Sequence, residues 1–259
     1  MDNSYDQIIP KVGLGTYNMD SKESEFMTYE AIKYGYRHID TAAVYKNEDG
    51  VSRALERIFN ETQLKREDIF ITTKLWPGGL IKLDRVRDYK DTLKSFEKSL
   101  MRLNLEYIDL YLIHSPHGKS KRIEQWKSLM NLKESGKVKY IGVSNWGINH
   151  INELKENNLP LPDANQIEIH PWSQKPELVK YLRENNIDII AYSSLVPLSS
   201  WRHKDGENSK KTEQMYKLGE SENSPFKLLA QKYNCTEAQF LLQWACLLYT
   251  SDAADERLS

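Results

Sequence analysis

One stretch of the sequence decides the fold, and it comprises Gly35-Tyr-Arg-His-Ile-Asp-Thr-Ala-Ala-Val-Tyr-Lys-Asn-Glu48. It predicts a strand that ends at Asp40, a short turn, and a helix that begins just after Tyr45. A carboxylate and a phenol would then lie on the same rim. Two later predicted strands end in Lys74 and His114. We therefore expect these four side chains to meet at neighbouring strand ends.

The rest of the chain repeats this alternation of strand and helix. The predicted strands are 12–16, 37–40, 69–74, 107–114, 140–145, 164–168 and 188–193, and the predicted helices are 22–34, 47–59, 84–102, 123–135, 148–156 and 176–185. Gly35, Gly136 and Asn186 follow three of the helices, where a left-handed residue commonly ends a helix. Apolar strands separated by helices are typical of βαβ units and a parallel sheet.

A doubly wound sheet and a (β/α)8 barrel both fit this alternation, and the strand ends decide between them. Polar residues close six strands: Asp40, Lys74, His114, Asn145, Glu168 and Ser193. A barrel builds its site from many strand ends at one mouth, whereas an open sheet concentrates its chemistry at one switch point. The predicted class is therefore α/β, with a TIM barrel. The polar segment 194–224 has no clear periodicity and is predicted to be a long loop.

Composition limits the kind of protein and its partners. The chain has 259 residues and a formal net charge of −1, so no basic surface indicates nucleic acid or an anionic membrane as a partner. Two cysteines give no disulfide framework and fit a reducing compartment. Residues 1–10 lack the apolar core of a signal peptide, and no apolar run is long enough for a membrane helix. We expect a cytoplasmic protein.

The four residues at the strand ends suit proton donation. A phenol has an unperturbed pKa near 10, and a neighbouring ammonium lowers it. Asp40 is expected to keep Lys74 charged, Lys74 to make Tyr45 more acidic, and Tyr45 to protonate a developing alkoxide. His114 would orient the carbonyl group. This chemistry needs no metal, and the sequence contains no zinc-binding spacing.

Protonation of an alkoxide requires a hydride source. Gly13-Leu-Gly-Thr-Tyr-Asn18 lacks the third glycine of a dinucleotide fingerprint, so we do not assign it that role. Another set of residues has the right chemistry for a nicotinamide cofactor. Ser144, Asn145 and Gln166 can hydrogen-bond a carboxamide, Tyr192 offers a face for stacking, and Ser193 and Leu195 can present backbone N–H groups to a pyrophosphate.

These motifs resemble those of the aldo-keto reductases in order and spacing. The matching segments are Gly13-Leu-Gly-Thr-Tyr17, Gly35-Tyr-Arg-His-Ile-Asp-Thr-Ala42, Asp109-Leu-Tyr-Leu-Ile-His-Ser-Pro116, Gly142-Val-Ser-Asn145, Asn165-Gln166 and His170-Pro171. The resemblance implies reduction of aldehydes or ketones with Tyr45 as the proton donor, tuned by Asp40 and Lys74. It adds Gly15, Thr16 and Asp40 to the cofactor site. It places Tyr17, Trp76 and His114 at the substrate.

The resemblance also implies NADPH as the cofactor, a small carbonyl compound as the substrate and a monomer as the active form. NADH stays open, because the motif that binds the 2′-phosphate is not found in the sequence. Two alternatives are retained: a non-catalytic nucleotide-binding or regulatory protein on the same fold, and an inactive truncated fragment.

The resemblance ends after Leu241-Leu-Gln-Trp-Ala245. Residues 1–245 are expected to form one barrel domain that lacks its eighth strand and eighth helix. Residues 246–259 begin Cys-Leu-Leu-Tyr-Thr-Ser-Asp-Ala-Ala-Asp, which matches the conceptual translation of a sequencing-library adapter. We expect this tail to be non-native, the alternative being a true short C-terminus.

Overall fold

A computed structural model describes residues 9–81, 83–198, 210–221 and 223–250. The chain divides into two compact units, Met1–Asn165 and Gln166–Ser259. The proton-donating residues predicted from the sequence all belong to the first unit.

The first unit contains five parallel strands that pair with their neighbours in chain order. They are β1 (Leu14–Gly15), β2 (His38–Asp40), β3 (Phe70–Leu75), β4 (Ile108–Ile113) and β5 (Val138–Ser144). The register places Asp40 beside Thr72, and Lys74 beside Leu112. Since parallel strands share one direction, their carboxyl ends lie at one edge of the sheet, as the sequence predicts.

Five helices alternate with these strands: α1 (Ser21–Lys33), α2 (Glu48–Glu61), α3 (Tyr89–Leu103), α4 (Arg122–Glu134) and α5 (Ile148–Glu156). The first begins with a capping box, in which the Asp20 carboxylate accepts from the Glu23 backbone N–H at 2.8 Å and the Glu23 carboxylate accepts from the Asp20 N–H at 2.9 Å. Gly35 and Gly136 have φ of 99° and 74°, which confirms their predicted role as helix stops.

Helix α3 begins five residues later than predicted. Asp88 caps it by accepting from the Asp91 N–H at 2.9 Å. The preceding residues 84–87 form a loop instead, and the Arg87 N–H donates to the Pro77 carbonyl at 2.9 Å. The sequence pattern placed Asp84 in the helix, but Asp84 belongs to the loop after β3.

Buried apolar residues fill both faces of the central strands. Every residue of β4 is buried, and in β3 only Phe70 is partly exposed. Strands covered on both faces are characteristic of α/β folds with helices outside the sheet. A lysine in such a strand is costly unless it is paired, so the burial of Lys74 is itself a signal of a specialised site.

The second unit holds the remaining elements. Strand β6 (Ala164–Glu168) begins before the boundary between the units, and β7 (Asp188–Tyr192), α6 (Pro176–Glu184), α7 (Lys210–Glu220), α8 (Pro225–Lys232) and α9 (Glu237–Thr250) follow. Within the described ranges there is no eighth strand. No helix in those ranges is long and apolar enough to cross a membrane.

The prediction of one long loop over 194–224 is partly wrong. A short 3₁₀ turn, Val196–Leu198, and helix α7 lie within it, whereas residues 199–209 and 222 lie outside the described residues. Helix α7 has few apolar residues, and the Lys217 ammonium pairs with Glu213 one turn earlier at 3.0 Å. Pairs at this spacing stabilise a helix modestly and add no apolar residue to the sequence pattern.

Helix α9 runs through Thr250, five residues past the predicted end of the native domain at 245. Residues 251–259 lie outside the described residues. The assignment of 246–259 as a non-native tail stays a prediction.

Candidate active site

A 3₁₀ turn, Ala43–Tyr45, follows β2 and carries the candidate proton donor. The turn ends at Lys46, whose φ of 58° redirects the chain into α2. The next residue, Asn47, fixes the turn: its buried amide donates to the Thr16 and Met19 carbonyls at 2.8 and 3.0 Å, and its oxygen accepts from the Thr41 hydroxyl at 2.9 Å. One side chain thus joins the segment after β1 to the segment that carries Tyr45.

Lys74 is completely buried at the carboxyl end of β3. Its ammonium is paired with the Asp40 carboxylate and donates to the Thr41 carbonyl at 2.9 Å. Burial lowers the pKa of Lys74, and the negative charges of Asp40 and, less strongly, of Glu48 oppose that shift. Two carboxylates therefore favour the ammonium in a site where desolvation disfavours it.

The Lys74 ammonium lies 5.1 Å from the centroid of the Tyr45 ring. This places a buried cation beside the phenol, as the sequence predicts. Glu48 was not a candidate in the sequence. It is completely buried, and it accepts from the Thr73 hydroxyl at 2.7 Å and pairs with the Arg102 guanidinium at 2.6 Å.

His114 follows β4 directly and is held there by its backbone N–H, which donates to the Leu75 carbonyl at 3.0 Å. Its Nε2 lies 3.5 Å from the Tyr45 hydroxyl, at the outer limit of a hydrogen bond. Burial and the nearby Lys74 charge lower the pKa of His114 to about 3. The imidazole is therefore neutral at physiological pH, and one of its nitrogens carries a hydrogen while the other accepts.

Two further aromatic side chains lie against the Tyr45 and His114 rings. The Tyr17 ring lies edge-on to the Tyr45 ring, with 5.2 Å between centroids, and the Trp76 ring lies 5.8 Å from the His114 ring. The Trp76 indole donates to the Asp84 carboxylate at 2.8 Å. Asp84 was missed in the sequence, and it is the residue that orients the predicted substrate-binding tryptophan.

The candidate cofactor residues of the first unit lie at the ends of β1 and β5. Gly15 is exposed, with no atom near the position of a Cβ, whereas Thr16 is buried and its hydroxyl faces the Asp40 carbonyl at 3.3 Å. Ser144 is buried, and Asn145 has a φ of 62°.

The Asn145 amide connects this strand end to the backbone at His114. It donates to the Ser144 hydroxyl at 3.1 Å and to the His114 carbonyl at 3.3 Å. Hydroxyl and amide groups are the types that recognise a carboxamide, and here they adjoin the chain at His114.

The other candidate cofactor residues belong to the second unit. Gln166 lies on β6 and is almost fully buried, and Tyr192 ends β7, where its carbonyl accepts from the Ile169 N–H at 3.2 Å. Ser193 follows with a φ of 60°, and Leu195 is exposed. Tyr192, Ser193 and Leu195 lie at or just after the end of β7, as predicted, whereas Gln166 is the central residue of β6; the roles of all four stay predictions.

The residues brought together in the first unit are thus Asp40, Tyr45, Lys74 and His114, with Tyr17 and Trp76 against them. The set comprises a phenol, a buried cation beside it, a neutral imidazole and two aromatic rings, which are groups that can donate a proton and pack against a small carbonyl compound.

The chain belongs to the aldo/keto reductase family, whose model matches residues 11–251. It is 37% identical over 237 residues to the glyoxal reductase of Bacillus subtilis, a match that covers 91% of this chain and 74% of that protein. The crystal structure of an aldo/keto reductase from Brucella melitensis matches with a TM-score of 0.76 at 36% identity, over 93% of this chain and 81% of that chain.

The crystal structure of a Bombyx mori aldo-keto reductase in complex with NADP matches with a TM-score of 0.75 at 31% identity, over 90% of this chain and 75% of that chain. These likenesses confirm the predicted family and the (β/α)8 type of fold, of which the described residues supply seven strands.

Proposed function

We propose that this protein reduces small aldehydes or ketones to alcohols, with NADPH as the hydride donor and Tyr45 as the proton donor. One observation supports it above the others: the buried Lys74 ammonium, paired with Asp40, lies 5.1 Å from the centroid of the Tyr45 ring. A buried ion pair contributes little net stability compared with apolar side chains, so its place beside a phenol favours a chemical role.

The donor groups of the chain fit a nicotinamide cofactor. The Ser144 hydroxyl and the amides of Asn145 and Gln166 suit the carboxamide, and the Tyr192 ring suits stacking on a planar heterocycle. The left-handed Ser193 begins the segment whose N–H groups suit a pyrophosphate. When bound, this cofactor supplies a hydride to the carbonyl carbon.

The proton of the reduction comes from the chain's own residues. As negative charge develops on the carbonyl oxygen, Tyr45 transfers its hydroxyl proton to that oxygen, and the Lys74 ammonium stabilises the phenolate that remains. Because His114 is neutral, the tautomer with hydrogen on Nε2 donates to the same oxygen without competing as an acid. Positioned proton donation of this kind contributes roughly 10²–10⁴-fold to the rate.

Small carbonyl compounds suit the aromatic surroundings. Tyr17 and Trp76 contact the Tyr45 and His114 rings, so an aldehyde carbon chain can pack on them while its oxygen reaches the two polar groups. The relative named as a glyoxal reductase supports compounds of this size. Cys235 and Cys246 form no disulfide in the part of the chain that the structure describes, which is consistent with a cytoplasmic location.

The test compares the wild-type chain with Tyr45→Phe in a steady-state assay of NADPH oxidation with methylglyoxal. We expect kcat to fall by roughly 10²–10⁴-fold, because phenylalanine keeps the ring contacts but has no proton to donate. Fluorescence titration of NADPH should give the same Kd for both proteins.

A wild-type chain that binds NADPH without turning over any aldehyde would favour the non-catalytic alternative. A Tyr45→Phe variant with unchanged kcat and unchanged circular dichroism would reject Tyr45 as the proton donor.

A further inference from the structure

A groove of about 470 Å³ lies between helix α3, the turn that carries Tyr45 and the loop after β3. This volume is within the range of small-molecule sites. At one end it is lined by Val44, the neighbour of Tyr45, and by Trp76, whose ring contacts His114. The groove therefore adjoins the candidate active site and continues away from it along α3.

The walls of the groove are strongly cationic. Its charged lining residues are Arg85, Arg87, Lys94, Lys98, Arg102 and a single carboxylate, Asp91. An excess of cations in a concave surface raises the local potential and attracts anions.

The three arginines have partners. The Arg85 guanidinium pairs with Asp91 at 2.6 Å, Arg87 with Asp84 at 3.5 Å, and Arg102 with the buried Glu48 at 2.6 Å. Their charges are largely compensated by carboxylates of the chain itself.

Lys94 and Lys98 differ from them. Both ammonium groups are exposed, and within the part of the chain that the structure describes neither makes an ion pair or a hydrogen bond. They stand one helical turn apart on α3, with Arg102 a further turn along. Like charges at this spacing destabilise a helix, and an anion held between them would remove that repulsion.

We propose that this groove binds the carboxylate or phosphate group of a small molecule. The anionic group is either the far end of the carbonyl substrate or a separate anion. The first case rests on the proposed function, because it requires the carbonyl group to reach Tyr45 and His114, whereas the second does not.

The test uses the double variant Lys94→Gln/Lys98→Gln. The matched control is Lys22→Gln/Lys127→Gln, which removes the same charge from two exposed helical lysines outside the groove. Inorganic pyrophosphate is titrated into the wild type and both variants by calorimetry. Two aldehydes of almost equal shape, 4-formylbenzoate and the neutral 4-formylbenzamide, are compared in the NADPH oxidation assay.

If the substrate carries the anion, KM for 4-formylbenzoate rises about three- to tenfold in the groove variant, as expected for the loss of two exposed ion pairs. KM for 4-formylbenzamide and both kcat values stay unchanged, the control variant behaves as wild type, and added salt weakens the wild-type preference. If a separate anion is bound, both KM values stay constant and only pyrophosphate binding weakens in the groove variant.

The proposal is overturned if the groove variant matches the control in both KM for 4-formylbenzoate and affinity for pyrophosphate. Failure of the wild type to reduce either aldehyde counts against the proposed function instead, and the pyrophosphate titration then decides the groove by itself.

Discussion

The buried imidazole of His114 makes the stability of this protein depend on pH. Burial, with the Lys74 charge, lowers its pKa from 6.5 to about 3, so the folded chain holds it neutral. In the unfolded chain the same imidazole takes up a proton as the pH falls below its ordinary pKa. The unfolded state then binds more protons than the folded state. The contribution of this group to the free energy of unfolding is therefore fully present above the ordinary pKa and is lost as the pH falls towards 3.

The size of the effect follows from the two pKa values. At about pH 5.5, proton uptake by the unfolded chain lowers the free energy of unfolding by about 1.4 kcal/mol, whereas at about pH 7.5 it lowers it by less than about 0.1 kcal/mol. The variant His114→Gln lacks this term. Its loss of stability between the two pH values should therefore be smaller than that of the wild type by about 1.3 kcal/mol.

Urea unfolding followed by circular dichroism, at both pH values and for both proteins, measures this difference. Glutamine is chosen because its amide reaches the place of Nε2 near the Tyr45 hydroxyl. His38 and His150 also have lowered pKa values through burial, but they are present in both proteins and cancel in the comparison. Equal pH dependence in the two proteins would refute the reasoning, as would a wild type that gains stability on acidification.

Three further substitutions test the site and its supports. In Asp40→Asn, the buried Lys74 ammonium loses its main counter-charge, so we expect the free energy of unfolding to fall by about 3–5 kcal/mol. We also expect kcat to decline as the pH rises, because the ammonium then loses its proton. A kcat independent of pH from 6 to 9 would contradict this. Gly78 has a φ of 77°, and a Cβ at this position would meet the Arg85 carbonyl, so Gly78→Ala should strain the loop after β3 by about 1–3 kcal/mol. We expect a lower melting temperature and a higher KM for carbonyl compounds. In Gly15→Ala, no atom lies near the added Cβ, so the melting temperature should not change, and a weaker affinity for NADPH in a fluorescence titration would place this glycine at the cofactor.

Apolar runs and helix stops in the sequence predicted most of the strands and helices, because burial of apolar side chains and backbone conformation determine where these elements form. The strand that ends at Asp40 and the strand that ends near Lys74 were predicted from apolar runs, and they occur as β2 and β3. Strand β1 is shorter than predicted, because only Leu14 and Gly15 pair with β2. Helix α7 was missed because its segment is mostly polar and showed no clear apolar periodicity.

The residues proposed to be catalytic were candidates from the sequence, but the residues that hold them in place were not. Asp40, Tyr45, Lys74 and His114 carry chemistry that stands out in a strand pattern. Asn47 and Glu48 act through partners far away in the sequence, Thr16 and Arg102, and Asp84 acts on Trp76 across an irregular loop. No spacing rule connects these pairs. Lys94 and Lys98 on α3 were not candidates for a different reason, because a lysine on a helix normally indicates only a solvated surface.

The division of the chain at Asn165 has a genetic consequence. Every side chain proposed to handle the proton is encoded upstream of that codon, whereas Gln166, Tyr192, Ser193 and Leu195 are encoded downstream of it. A crossover between homologous genes near this codon would exchange part of the cofactor-binding set and leave the acid, its cation and the imidazole as one inherited block. Changes to these cofactor contacts would then be inherited separately from changes to the groups proposed to handle the proton.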